Sequence, residues 1–188
     1  MIDPVIQLLI SLGFSLLFVV SGIHKLSNRL QFQGIVDAYQ IVPSSWVPFV
    51  VIKIGILELT LGVAWLISNS VLIPLFSAVL FNIYIIAISI NLFRGRTYID
   101  CGCGFSGLAG AQENNDGIQQ LSLSLVGRNF FLVGLLLMAV LPISSREIGV
   151  VDYLSIMLGL LSALFIYAAV NQLLSNHNAI GAWRNVSG

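Results

Sequence analysis

Two cysteines one residue apart, in Asp100-Cys101-Gly102-Cys103-Gly104, carry the residue types and spacing best suited to covalent chemistry, and the chain has no others. A bond closing so short a loop removes little unfolded-state entropy, so a structural staple is a poor reason for the pair. Bridging residues i and i+2 is geometrically awkward. Gly102 and Gly104 relax the backbone limits, and a strained disulfide is easier to reduce. The chemistry this favours is thiol–disulfide exchange. Arg94 and Arg96 would lower the pKa of a nearby thiol, and Asp100 beside Cys101 would act the other way. Two other readings stay open, a pair of inert thiols and half of a metal site. A metal site needs about four nitrogen or sulfur ligands, and the remaining candidates, His24 and His177, lie in separate segments, so no metal is expected. With a single dithiol there is no internal relay, and electrons must pass to or from a partner protein or a membrane quinone.

A second group of residues could act through charge. Glu58 falls near the middle of a long apolar run, where an ionised group costs several kcal/mol unless it is paired, neutralised or facing water. Lys53, five residues earlier, lies about 140° around a helix from Glu58, so the two are not expected to pair. The candidate partners are Lys25 or His24 at the end of the preceding run, or Asn82 in the middle of the following one. A buried polar clamp between helices and a functional carboxylate are equally compatible with this pattern.

The elements that must position these groups follow from composition. Of 188 residues, 57% are hydrophobic and 9% charged, with a mean hydropathy of +0.98. A soluble domain carries about 25% charged residues, so this chain belongs in lipid. Eight basic and eight acidic side chains give no net charge, which excludes a nucleic-acid-binding surface. A spanning helix needs about 20 mostly apolar residues. Five stretches, 4–23, 46–67, 71–93, 125–141 and 150–174, are expected to meet that requirement. None shows strand-like alternation, so the expectation is an all-α membrane bundle of about five transmembrane helices forming one domain. Five spans would put the two termini on opposite sides, and a re-entrant span would put them on the same side.

Phe32, Ile35, Val36 and Tyr39 recur at helical spacing opposite Gln31, Gln33, Asp37 and Gln40. This predicts a short amphipathic helix on the membrane surface or beneath the bundle, ended by Pro43. The longest polar stretch is the loop at 94–124, which holds the cysteines. The first apolar run lacks a basic flank and a small-residue cleavage site, so it is expected to remain as an anchor. Trp46, Tyr98 and Trp183 suit interfacial anchoring, and Gly159 with Ala163 could allow close helix packing.

Several separated pieces are similar to one family. Ser21-Gly22-Ile23-His24-Lys25-Leu26, Asp37-Ala38-Tyr39 followed by Val42-Pro43, and Glu58 with Gly62 resemble the DoxX-type membrane superfamily. Asp100-Cys101-Gly102-Cys103 and then Arg128-Asn129 narrow the resemblance to the MauE family of methylamine-utilisation membrane proteins. That resemblance implies a multi-pass protein of the bacterial inner membrane. It would mature the disulfide-rich small (beta) subunit of methylamine dehydrogenase, with Cys101 and Cys103 exchanging with a thioredoxin-like MauD-type partner or with the subunit itself. Two alternatives accompany it: a quinone-linked thiol oxidoreductase of the DoxD type, with quinone near Glu58, Lys25 and His24, and a non-enzymatic membrane chaperone. The side of the membrane is contested. Lys25, Arg29, Arg94, Arg96, Arg128 and Arg184 would share one face and Arg146 the other, which puts the cysteine loop in the cytoplasm by the charge rule. Disulfide work on a periplasmic subunit puts it outside.

Overall fold

Asp3 begins the first helix, its carboxylate accepting from the Val5 backbone N–H at 2.9 Å while Pro4 takes the first helical position, where its missing N–H costs nothing. In the computed structural model, which describes residues 2–96 and 123–186 and only the backbone of 124, 171 and 174–186, this helix is α1 (Pro4–Ser27). The others are α2 (Arg29–Tyr39), α3 (Val47–Ile67), α4 (Leu72–Phe93), α5 (Leu123–Met138) and α6 (Val150–Val186). Among the described residues there is no strand, and the all-helical membrane architecture expected from the sequence is what the chain adopts.

The tightest seam runs between α1 and α3. A Cβ on Gly22 would lie 2.9 Å from the Gly55 carbonyl oxygen, and one on Gly62 would lie 2.9 Å from the Val19 backbone nitrogen, so only glycine lets the two backbones approach this closely. Along the same seam Ser15 Oγ donates to the Gly62 carbonyl at 2.8 Å and Ser11 Oγ to the Trp65 carbonyl at 2.6 Å. These bonds satisfy hydroxyls that lipid could not. Beside the seam, Phe14 stacks on Trp65 and meets Phe18 and Phe81, so α4 joins through a cluster of aromatic rings. The Trp65 indole N–H donates to Ser77 Oγ at 3.0 Å.

The fourth apolar stretch, expected to span, forms a helix shorter than the spanning length. Among the described residues four helices are long and apolar enough to span, whereas α5 has 16 residues and a length of about 24 Å. It nevertheless runs the depth of the bundle. Leu125 and Val126 pack with Ile85 and Ile88 near one end, and Leu132, Leu136 and Ala139 join Phe14, Trp65 and Ile73 toward the other. At that far end Leu141 and Pro142 leave the helix, and the Ile2 N–H donates to the Pro142 carbonyl at 2.9 Å while Ser144 N–H returns a bond to the Ile2 carbonyl at 2.8 Å. The fifth apolar stretch is a spanning segment as expected, and its helix continues past it, because no glycine or proline follows Leu174 until Gly181. Its Gly159 lies against Leu9 of α1, in keeping with a packing role, whereas Ala163 is exposed.

The amphipathic segment lies under the bundle. Phe32 packs with Val47 and Val51, flanked by Ile35 and Val36, and Tyr39 reaches the α4–α5 cluster. It stops before Pro43, at Gln40, which adopts a left-handed conformation with φ 49°. Outside these contacts, Phe49, Leu66, Phe76, Val79, Leu154, Leu158 and Phe165 are exposed, forming the apolar perimeter a lipid environment covers.

Candidate functional site

Glu58 sits in the middle of α3, buried to 1% exposure, with Lys25 from α1 at 4%. Helical side chains lean toward the N-terminus, so Lys25 extends back along α1 to reach the level of Glu58. Its ammonium forms a buried ion pair with Glu58 Oε1 and donates to Ser21 Oγ, one turn earlier, at 2.9 Å. Tyr84, from α4, donates its hydroxyl to the same Oε1 at 2.6 Å and lies 3.4 Å from the ammonium. Two aromatic faces complete the enclosure, with Lys25 Nζ 5.2 Å from the Phe32 ring centre and 5.1 Å from that of Tyr84. Four helices therefore meet at one cation. Glu58 Oε2, by contrast, is buried and has no hydrogen-bond partner among the described residues.

Of the three partners the sequence offered Glu58, the structure selects Lys25. His24 points elsewhere, its Nδ1 3.1 Å from the Asn28 side-chain amide. Asn82 is exposed and donates to the Ala78 carbonyl of its own helix at 2.8 Å, the local bond a short polar side chain makes when no neighbour competes. Lys53 is exposed and, as expected, does not pair with Glu58. Sequence reasoning missed Tyr84, Ser21 as a ligand of the ammonium, and two fully buried amides, Asn91 and Asn129. The available signal was a polar atom within an otherwise apolar run, in Asn82-Ile83-Tyr84-Ile85 and in Arg128-Asn129-Phe130.

In the sequence, α4 ends shortly before the cysteine stretch. Gly95, with φ 70°, closes the helix: its N–H bonds to the Leu92 carbonyl and that of Arg96 to the Asn91 carbonyl, both at 3.0 Å. This pattern satisfies the last carbonyls and calls for glycine at the left-handed position. Arg94 is exposed and donates to the Gln40 carbonyl at 3.4 Å, linking α4 to α2. Arg128 lies on α5 with its guanidinium 5.9 Å from the Tyr167 ring centre. Asp100, Cys101 and Cys103 lie outside the described residues, as does Tyr98.

The charged groups fall at two depths. At the opposite end of the bundle Arg146 bridges Asp3 Oδ2 at 2.8 Å and Asp152 Oδ1 at 2.6 Å, and Asp152 also accepts from the Gly149 N–H at 2.9 Å. The hydrogen bond and charge of Asp152, aided by Asp3, raise the Arg146 guanidinium above its ordinary pKa.

No solved structure matches the chain. Among curated proteins it is similar to the methylamine utilization protein MauE of Methylophilus methylotrophus, 36% identical over 102 residues that cover 54% of each chain. The chain thus spans about half the length of that relative. The MauE of Paracoccus denitrificans is 30% identical over 139 residues, 73% of this chain and 69% of that one. The MauE of Methylorubrum extorquens is 34% identical over 130 residues, 68% of this chain and 64% of that one. The family model described as methylamine utilisation protein MauE matches residues 3–142, a span that includes Lys25, Glu58, Tyr84 and the cysteine pair. By that match and these relatives, the chain belongs to the MauE family.

Proposed function

We propose that this chain is a multi-pass protein of the bacterial inner membrane, a single membrane domain, that acts in maturing the disulfide-rich small subunit of methylamine dehydrogenase. Its redox partner is a thioredoxin-like protein of the MauD type. The observation that carries this reading is the family match, which takes in Asp100-Cys101-Gly102-Cys103. The thiolate of one cysteine attacks a disulfide of the subunit, forming a mixed disulfide and expelling the other sulfur as a thiolate. The second cysteine then displaces the bound sulfur, leaving Cys101 and Cys103 bridged and the subunit pair reduced. The reverse of these steps hands a disulfide to the subunit, and the partner resets the pair in either direction. Arg94 and Arg96, at the head of the cysteine stretch, act on the thiols in one direction and Asp100 beside Cys101 in the other. On this reading the stretch faces the periplasm.

The test is labelling with a membrane-impermeant maleimide in intact cells, with and without prior reduction. Reaction of both cysteines only after reduction is the expected result. Reaction only in permeabilised cells would place the pair away from the periplasm and defeat direct exchange. Cys101→Ser and Cys103→Ser should each trap or abolish a covalent adduct with the partner or subunit. Full maturation in the double variant would leave the bundle as a non-enzymatic holder. Bound quinone in the purified protein, with thiols that respond to added quinone, would assign the quinone-linked reading instead.

A further inference from the structure

The buried cluster around Lys25 contains an asymmetry that a structural clamp does not require. Glu58 Oε1 accepts from both Lys25 and Tyr84, whereas Oε2, on the same carboxyl, has no hydrogen-bond partner among the described residues although it is buried. A buried acceptor left without a donor is costly, and an ionised one more so. A carboxyl serving only to hold α1, α3 and α4 together would do so better with both oxygens engaged or with an apolar side chain of similar volume. The open oxygen is therefore where the group has capacity for something more.

The surroundings of Lys25 supply the second, independent observation. Its ammonium rests near the faces of Phe32 and Tyr84, at 5.2 and 5.1 Å, and on Ser21 Oγ at 2.9 Å. Ring faces attract a cation whatever the charge on Glu58. With Glu58 ionised, Lys25 and Glu58 together carry no net charge; with Glu58 protonated, they carry one positive charge, held by the two rings and the serine. The groups that touch this pair come from three helices: Ser21 from α1, Phe32 from α2 and Tyr84 from α4. They support the cation in both charge states.

We propose that Oε2 of Glu58 is a proton-binding position inside the bundle. The carboxyl takes up a proton there in one state of the protein and releases it in another, while Oε1, Lys25 and Tyr84 keep the group in place. No electron moves in this step: one O–H bond forms from a carboxylate and a proton and is later broken. The site does not depend on the cysteine reaction, and it would stand if Cys101 and Cys103 proved dispensable.

The experiment uses the purified full chain in lipid nanodiscs. Infrared difference spectra recorded across the pH range in which the protein stays folded should show a carboxylic-acid C=O stretch that appears and disappears with pH. That band should be lost in Glu58→Gln and retained, at a displaced frequency, in Tyr84→Phe, which removes a hydrogen bond to the other oxygen. Dicyclohexylcarbodiimide, an apolar reagent that modifies protonated carboxyls in membranes, should give an adduct that mass spectrometry of the wild-type chain locates at Glu58. The adduct keeps the test decisive if Glu58→Gln does not fold. No titrating band together with no adduct would mean that Glu58 is permanently ionised and purely structural. A band that persists in a folded Glu58→Gln variant would put the proton elsewhere. Either result overturns the proposal. The maturation reading is judged separately by the cysteine variants, so failure of one leaves the other standing.

Discussion

The chain holds charge in two contrasting ways. Deep in the bundle, Lys25 and Glu58 are almost sealed from solvent; at one end, the Arg146 side chain stays 52% exposed while it bridges Asp3 and Asp152. Both sites join opposite charges from distant parts of the sequence, yet the physics differs. In the deep site each ion has lost its hydration and leans chiefly on its partner, so replacing one by an apolar side chain leaves the other buried without its main counter-charge. At the surface, water and salt can replace either partner, and the pairing contributes orientation more than energy. Burial, not the number of bridges, decides which charges matter.

The largest effect that would test this contrast is Lys25→Met, which strands the Glu58 carboxylate. It should cost about 3–5 kcal/mol, measured by unfolding in detergent. Lys25→Met with Glu58→Leu should recover most of that loss, and a double variant as unstable as the single one would contradict the argument. Next comes Gly22→Ala, which pushes a methyl against the Gly55 carbonyl and opens the seam that brings Lys25 to Glu58; overpacking of this kind costs about 1–3 kcal/mol. If its melting temperature matches wild type, the seam is looser than these distances imply. Trp65→Phe removes the indole donor to buried Ser77 and should cost about 1 kcal/mol, read by the same unfolding measurement. Arg146→Ala should be the mildest of the four, with a thermal midpoint near wild type and any difference erased by added salt. Because Asp152 and Asp3 raise the Arg146 guanidinium while the Gly149 N–H and Arg146 hold the Asp152 carboxyl below its ordinary range, the contribution spans the neutral range, fades in acid as Asp152 takes up its proton, and is lost at the basic end only in strong alkali. A large, salt-independent loss for Arg146→Ala would erase the distinction between the two sites.

The sequence made much of this arrangement readable. Long apolar runs locate the spanning helices because backbone groups in lipid must bond within their own segment, and that requirement leaves few alternatives. Glu58 stood out because a charge in such a run demands a partner. Choosing Lys25 over His24 and Asn82 required three dimensions, since the choice depends on how closely the glycine seam brings α1 to α3. Tyr84 escaped notice because a tyrosine in a membrane chain is ordinarily read as an interfacial anchor, and only the packing of α4 turns its hydroxyl inward. The amphipathic helix was visible in its spacing, but its stop at Gln40 was not, because a left-handed asparagine or glycine is the usual signal and glutamine is not. The apolar run of α6 marked its span but not the end of its helix, since polar residues mark the edge of the lipid without ending a helix.

The meeting of Ile2 with Pro142 and Ser144 has a topological consequence. The head of α1 and the exit from α5 are pinned together there, and the family match stops at residue 142, beside that pin. The connection into α6 leaves the bundle just past it. Cutting the chain in that connection and supplying α6 as a separate polypeptide would leave the Ile2–Pro142 and Ile2–Ser144 bonds in place.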